Sequence, residues 1–366
     1  MNRLSHGCAP LLLVLACASE RHAKPKEPLG YLPNAVTTAT PEWIPFRIRA
    51  GKAVVPDSRE HHFADLRQLT FEGTNTHPHW SPAGRTIAFQ STRESSGCEQ
   101  IFFLDLNDGS LRKLSTNHGG SNSPSFVYPQ GERIVFALNE SSECATKEDG
   151  SFEFNIHSSD LRGSQRVPVI VNLGFDGEPA VTFDGSRLAF TSSRDGNLEL
   201  YVADIKGTGV RRATQNSGTE GGAAFSPDST KLAWHAGHKI DRDDKETAAE
   251  LEIMIAEAEG QNPRAATRNG KTNQYPCFFS DSRRLIFASN VGASLADNRD
   301  DFDLYSVDPE GPVTAGGMPR LERITYRAGF DGFPAFSPDG EYLAFVSTRN
   351  AANPGDKNLF VARWSE

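Results

Sequence analysis

No Gly-x-Ser-x-Gly elbow, P-loop, dinucleotide fingerprint or His-Glu-x-x-His segment occurs in the 366 residues. The first presents a hydrolase nucleophile on a strained turn; the others hold phosphates or zinc. Positive charge is also in deficit, with 38 Lys and Arg against 47 Asp and Glu and a formal charge of −9. Such a chain has no basic excess to neutralise phosphates, so nucleic acid is not expected as a general partner. Residues 9–16 (APLLLVLA) form an apolar run too short to span a bilayer as a finished helix. Behind Arg3, that run reads as an export signal instead.

Two processing routes fit this signal. Val14-Leu15-Ala16-Cys17 matches a bacterial lipobox, with Cys17 as the lipidated mature N-terminus; Ala16-Cys17-Ala18 fits ordinary signal peptidase. Ala18 and Ser19 lack the aspartate that retains lipoproteins in the inner membrane. The lipidated form is therefore expected on the periplasmic side of the envelope, anchored to the outer membrane. Cysteine is scarce, with five residues. Cys8 and Cys17 belong to the signal. Cys98 and Cys144 lie in loops of neighbouring repeats and are the expected disulfide in an oxidising compartment, although spacing alone leaves the connectivity open. Cys277 sits in an apolar strand and reads as a buried thiol. The chain divides into a signal (1–17), a Pro-rich extended tether and lead-in (18–60), and a repeat domain (61–366).

What the chain does have is Gly and Pro in abundance, 32 and 22 of them, scattered as in an all-β protein with many turns. One pattern recurs six times: a Pro-led strand, a tight turn and an apolar strand. The copies are HPHWSPAGRTIAFQSTR from His77, SPSFVYPQGERIVFALN from Ser123, EPAVTFDGSRLAFTSSR from Glu178, GAAFSPDSTKLAWHAG from Gly222, YPCFFSDSRRLIFASN from Tyr275 and FPAFSPDGEYLAFVSTR from Phe333. Their starts are 44 to 58 residues apart, the length of a four-stranded propeller blade. In SPDG the Pro presets φ and the Gly accepts the turn. Runs such as Leu343-Ala344-Phe345-Val346 are apolar on both faces, as strands sandwiched between blades must be. Six outer strands follow a basic-x-apolar-Thr theme, but the first, Arg67 to Thr70, precedes every inner strand. It is expected to complete the last blade and lock the ring. The fold class is thus all-β: a six-bladed β-propeller of four-stranded antiparallel blades, closed by an N-terminal outer strand.

These repeats resemble the WD-like propeller repeats of the TolB family. The carriers are Arg67-Gln68-Leu69-Thr70-Phe71, the run from Ser192 to Tyr201 (SSRDGNLELY) and the run from Gly329 to Gly340 (GFDGFPAFSPDG). The resemblance covers about residues 60 to 366. TolB itself carries an additional N-terminal α/β domain, and Cys17 to about Asp65 is too short to supply one. The resemblance therefore implies a TolB-like propeller lipoprotein rather than the Tol-Pal component proper.

Propellers usually bind at the channel mouth, on loops leading into the innermost strands. Three residues before the repeat proline, which Ala223 replaces in the fourth copy, stand Asn75, Ser121, Asp176, Glu220, Asn273 and Asp331; one residue before it stand His77, Ser123, Glu178, Gly222, Tyr275 and Phe333. Together they are expected to encircle one rim, as a polar mouth or as turn residues satisfying backbone amides. His235, His238, Asp241, Asp243 and Asp244 form a His-acid cluster in a charged insertion that reads mainly as a solvated loop. His61, His62, His77 and His79 are expected in core or rim positions rather than as metal ligands. Arg93, Arg194 and Arg349 follow Ser-Thr or Ser-Ser and read as blade-to-blade anchors. No cofactor is expected. The charged loop from Asp297 to Asp301 could attract calcium but lacks the Gly and terminal Glu of an EF-hand.

The expected function is non-catalytic: a monomeric envelope scaffold whose mouth receives a tail or loop of a protein partner. The alternatives are a metal-dependent propeller hydrolase or lyase using Asp176, Glu178, Glu220 and Asp331, and a glycan-binding propeller, for which Trp80 and Tyr275 speak.

Overall fold

A computed structural model describes residues 47–93, 98–114, 122–139, 153–237, 250–293 and 301–366. Among them every regular element is a strand, and the strands form six antiparallel sheets. Blade 1 runs Asn75–Trp80, Thr86–Ser91, Gln100–Asp105 and Leu111–Lys113. Blade 2 begins at Asn122–Val127, blade 3 at Asp176–Val181, blade 4 at Glu220–Phe225 and blade 5 at Asn273–Phe278. Each of these is a four-stranded sheet in chain order from its innermost strand outward.

Blade 6 closes the ring with chain from both ends. Its strands Asp331–Phe336, Tyr342–Ser347 and Asn358–Arg363 are followed by Arg67–Gln68, which pairs Arg67 with Val361 and Gln68 with Phe360. The expected seam strand is therefore in place. Lys52–Ala53 adds a fifth strand beyond it, paired with Arg67 and Gln68. Ile48 and Ala50 are buried in the same apolar cluster as Leu69 and Val361. From Arg47 onward, the stretch read as lead-in is folded against the propeller.

The second strand of each blade places an aromatic ring at the same repeat position: Phe89, Phe136, Phe190, Trp234, Phe287 and Phe345. None of these is more than 2% exposed. Each ring falls in a different one of six apolar clusters, so one large ring packs in the core between each pair of neighbouring sheets.

The innermost strands carry the feature that shapes the channel. In every blade the register against the second strand shifts at the same place, at the repeat proline in five blades and at Ala223 in blade 4, for example between Thr76 and His79 in blade 1 and between Gly332 and Ala335 in blade 6. Proline has no N–H to give the ladder, and a β-bulge is where a sheet interior tolerates it. The residue before this position takes a positive φ in five blades: His77 at 49°, Glu178 at 51°, Gly222 at 60° (before Ala223), Tyr275 at 54° and Phe333 at 51°. Only Gly222 does so without steric penalty; for an L-residue with a side chain the left-handed region costs about 1–2 kcal/mol. Four residues in equivalent places hold this strain.

Candidate functional site

The bulge separates two sets of residues that strict alternation would put on one face. Asn75, Asp176, Glu220, Asn273 and Asp331 point back into the blades and are at most 1% exposed. Their side chains are engaged inside the propeller instead of lining a rim, and the arginines expected as blade-to-blade anchors bind Asn75, Asp176 and Asp331 each within one blade. Arg93 donates to Asn75 Oδ1 at 2.8 Å, Arg194 to Asp176 Oδ1 at 2.9 Å and Arg349 to Asp331 Oδ2 at 2.6 Å. Each of these arginines also donates through Nε to a serine on the same strand end, namely Ser91, Ser192 or Ser347. In blade 5 Ser289 donates to Asn273 Oδ1 at 2.7 Å. Blade 4 has neither the serine nor the arginine. Glu220 there accepts from Trp234 Nε1 and Asn216 Nδ2 only, and burial pushes its carboxyl up to about 7.

The second set, His77, Glu178, Gly222, Tyr275 and Phe333, lines a cavity of about 780 Å³ on the propeller axis. The rings meet one another: His77 and Phe333 at 4.1 Å, Tyr275 and Phe333 at 4.2 Å, and His77 edge-on to Tyr275 at 5.2 Å. At Gly222 no side chain projects, and His235 from the second strand fills the space, edge-on to Tyr275 at 5.5 Å. A methyl at Gly222 would lie 2.7 Å from His235 Nδ1. Sequence reasoning placed His235 in a charged loop; the side-chain gap at Gly222 was the signal that it turns inward. Glu178 bridges blades 3 and 4, accepting from Thr191 Oγ1 at 2.8 Å and from the Gly222 amide at 2.9 Å.

This lining is largely uncharged. Burial pushes the His77 imidazole down to about 3 and His79 to about 4, and it lowers His235 while Glu178 pulls that ring the other way. Burial raises the Tyr275 phenol, and holds the Cys277 thiol at about 11, protonated and inert. From these residues the cavity runs to the hairpin turns, where Phe183, 40% exposed, stands with Pro82, Asp184, Asp228 and Pro338. The turns brace one another across blades: Asp184 N donates to Ser229 Oγ, and Asp228 N to Ser282 Oγ. Trp80 also lines the cavity, but its ring is buried and its Nε1 donates to Ala335 O at 2.9 Å.

The remaining expectations fall as follows. Cys98 is disulfide-bonded and Cys277 is a free thiol. Cys17, Cys144, Ser121, His238, Asp241, Asp243, Asp244 and Asp297 to Asp300 lie outside the described residues, and for Ser123 only the backbone is described. Asp301 accepts the Gly329 amide at 2.8 Å. His61 and His62 are not with His77 and His79; they meet Glu322 of the blade 5 outer strand, a residue with no signal in the sequence beyond its place in that strand.

Residues 150–289 match the TolB beta propeller domain family. A TolB homolog from Chlorobium chlorochromatii (strain CaD3) is 31% identical over 166 residues, which is 45% of this chain and 32% of that protein's own length. Among solved structures, TolB from Acinetobacter baumannii aligns with a TM-score of 0.51 at 20% identity, over 70% of this chain and 55% of that one. A gluconolactonase from Xanthomonas campestris aligns at 0.56 and 15% identity, over 86% and 98%. At such identities these two structures show a shared fold alone. Repeat pattern, blade architecture, seam and matches converge: the chain is a six-bladed β-propeller that resembles the TolB propeller family.

Proposed function

We propose that this is a non-catalytic, envelope-facing propeller that takes an apolar segment of a protein partner into the channel cavity. The observation that carries the reading is the row of strained bulge residues. Four non-glycine residues sit at positive φ in equivalent places, and all four side chains line one cavity. Backbone strain of this kind persists where the surrounding structure over-determines it, and it concentrates at functional sites. The lining is rich in aromatic rings and proline, with Glu178 as an acceptor near its floor. That composition suits an apolar anchor with one hydrogen-bonding group. The hydrolase or lyase alternative needs Asp176, Glu178, Glu220 and Asp331 to converge. Only Glu178 lines the cavity; the other three are engaged inside their blades.

Phe183→Ser tests this reading, because the ring stands at the cavity's turn end and is partly exposed. A partner isolated from the envelope with the wild-type chain, then titrated against both forms, is expected to bind the variant about 30-fold more weakly, the effect of losing an aromatic anchor worth about 2 kcal/mol. The unfolding midpoint should stay at the wild-type value. Equal affinity for both forms would place the partner's contact outside the cavity.

A further inference from the structure

Where the lead-in meets the C-terminus, the geometry points to a binding site for a divalent transition-metal cation formed by His61, His62 and Glu322. The ligating atoms of these three side chains all lie within 4.8 Å of one another. His62 Nε2 is 3.0 Å from Glu322 Oε1, and His61 Nε2 is 4.0 Å from the same oxygen.

The other ring nitrogens decide the chemistry. His62 Nδ1 lies 2.7 Å from the Ser365 carbonyl oxygen, and His61 Nδ1 lies 2.9 Å from the Arg59 carbonyl oxygen. A carbonyl only accepts, so each Nδ1 must carry the hydrogen. In the neutral imidazole, each Nε2 then presents a lone pair. Two lone pairs and the Glu322 carboxylate, whose Oε2 also accepts from Ser306 Oγ at 3.3 Å, crowd together with no hydrogen between them, an arrangement that a cation or an added proton satisfies. An imidazole that donates its far N–H to a backbone carbonyl is the usual second-shell arrangement of a metal-bound histidine. The His62 ring is held further by stacking on Trp364, with centroids 4.6 Å apart and planes at 3°.

Two imidazoles and one carboxylate suit zinc, copper or nickel better than calcium or magnesium, and leave one position of a tetrahedral ion for water. The three ligands come from the first residues after the lead-in and from the outer strand Leu321–Arg323 of blade 5, while the carbonyl orienting His62 belongs to Ser365, beyond the last strand of blade 6. A bound ion would therefore clamp the segment that closes the ring.

Zinc is the probe. Full-length protein stripped with chelator is titrated with Zn²⁺ against a chromophoric competitor, in parallel with His61→Ala and Glu322→Gln. Both substituted side chains are more than half exposed, so both variants are expected to fold. The wild type should bind one zinc that either substitution weakens about tenfold or more. Cobalt in its place should give the visible absorption of a low-coordinate site, absent in the variants. Zinc binding that is equal in all three proteins, or absent from the wild type at micromolar zinc, would overturn the assignment and leave a proton as what the cluster holds.

Discussion

Arg349→Met is expected to cost about 3–5 kcal/mol in equilibrium urea unfolding, the penalty for stripping the cation from buried carboxylates. Arg349 is 7% exposed and serves two acids at once. It donates to Asp331 Oδ2 at 2.6 Å and to both oxygens of Glu60 at 3.0 and 3.2 Å. Both carboxylates are 1% exposed. The guanidinium also lies over the rings of Phe345 and Phe360, so its removal takes packing with it. Glu60 reaches this point from the lead-in and accepts the Tyr326 amide as well. The triad thus fastens the lead-in to blade 6. Neutralising the acids in the same chain, by adding Asp331→Asn and Glu60→Gln, should recover much of the loss, because no unpaired charge then stays buried. A cost below about 1 kcal/mol for Arg349→Met would mean that the triad is hydrated and not a fastening.

Glu220→Gln should do the opposite, and only at high pH. Burial moves this carboxyl from an ordinary 4.5 to about 7, against the pull of its Asn216 and Trp234 hydrogen bonds and with the help of the nearby Glu199 charge. The folded state therefore prefers the neutral acid. The stability that preference confers is whole below pH 4.5 and is lost as pH rises through about 7. A shift of this size corresponds to about 3 kcal/mol. Glutamine keeps one acceptor for Trp234 and never ionises. The variant should match the wild type near pH 4 and exceed it by about 3 kcal/mol at pH 8, read from urea unfolding at the two values. An equal difference at both pH values would show that Glu220 ionises freely in the fold.

These two results separate the buried polar residues of the inner strands from the cavity. In the sequence they look alike. Asn75, Asp176 and Asp331 stand near turns, polar and repeated, and so read as a rim. Yet each lies 18 residues before the arginine that holds it, Arg93, Arg194 and Arg349. That constant interval stands in the sequence, but strict strand alternation aims these side chains at the channel, away from the arginines. What hid the link is the bulge at the repeat proline, which reverses which face of the strand the next residues occupy. The blades, the six-fold count and the seam strand were legible because hairpin turns and apolar runs repeat with the fold. Lys52–Ala53, Ile48 and Ala50 were not, because a short edge strand in a Pro-rich lead-in has no periodicity to read. The meeting of His61 and His62 with Glu322 spans about 260 residues and depends on ring closure alone.

The central claim is that the cavity behind the bulge residues receives a partner segment. A photo-crosslinking amino acid placed at Phe183, at the cavity's turn end, tests it in intact cells against the same probe at Val313, which is 58% exposed and away from the cavity. The account predicts adducts from position 183 that map to one segment of one envelope protein and are missing from position 313. Identical adducts from both positions, or none from 183 while 313 reacts, would contradict it.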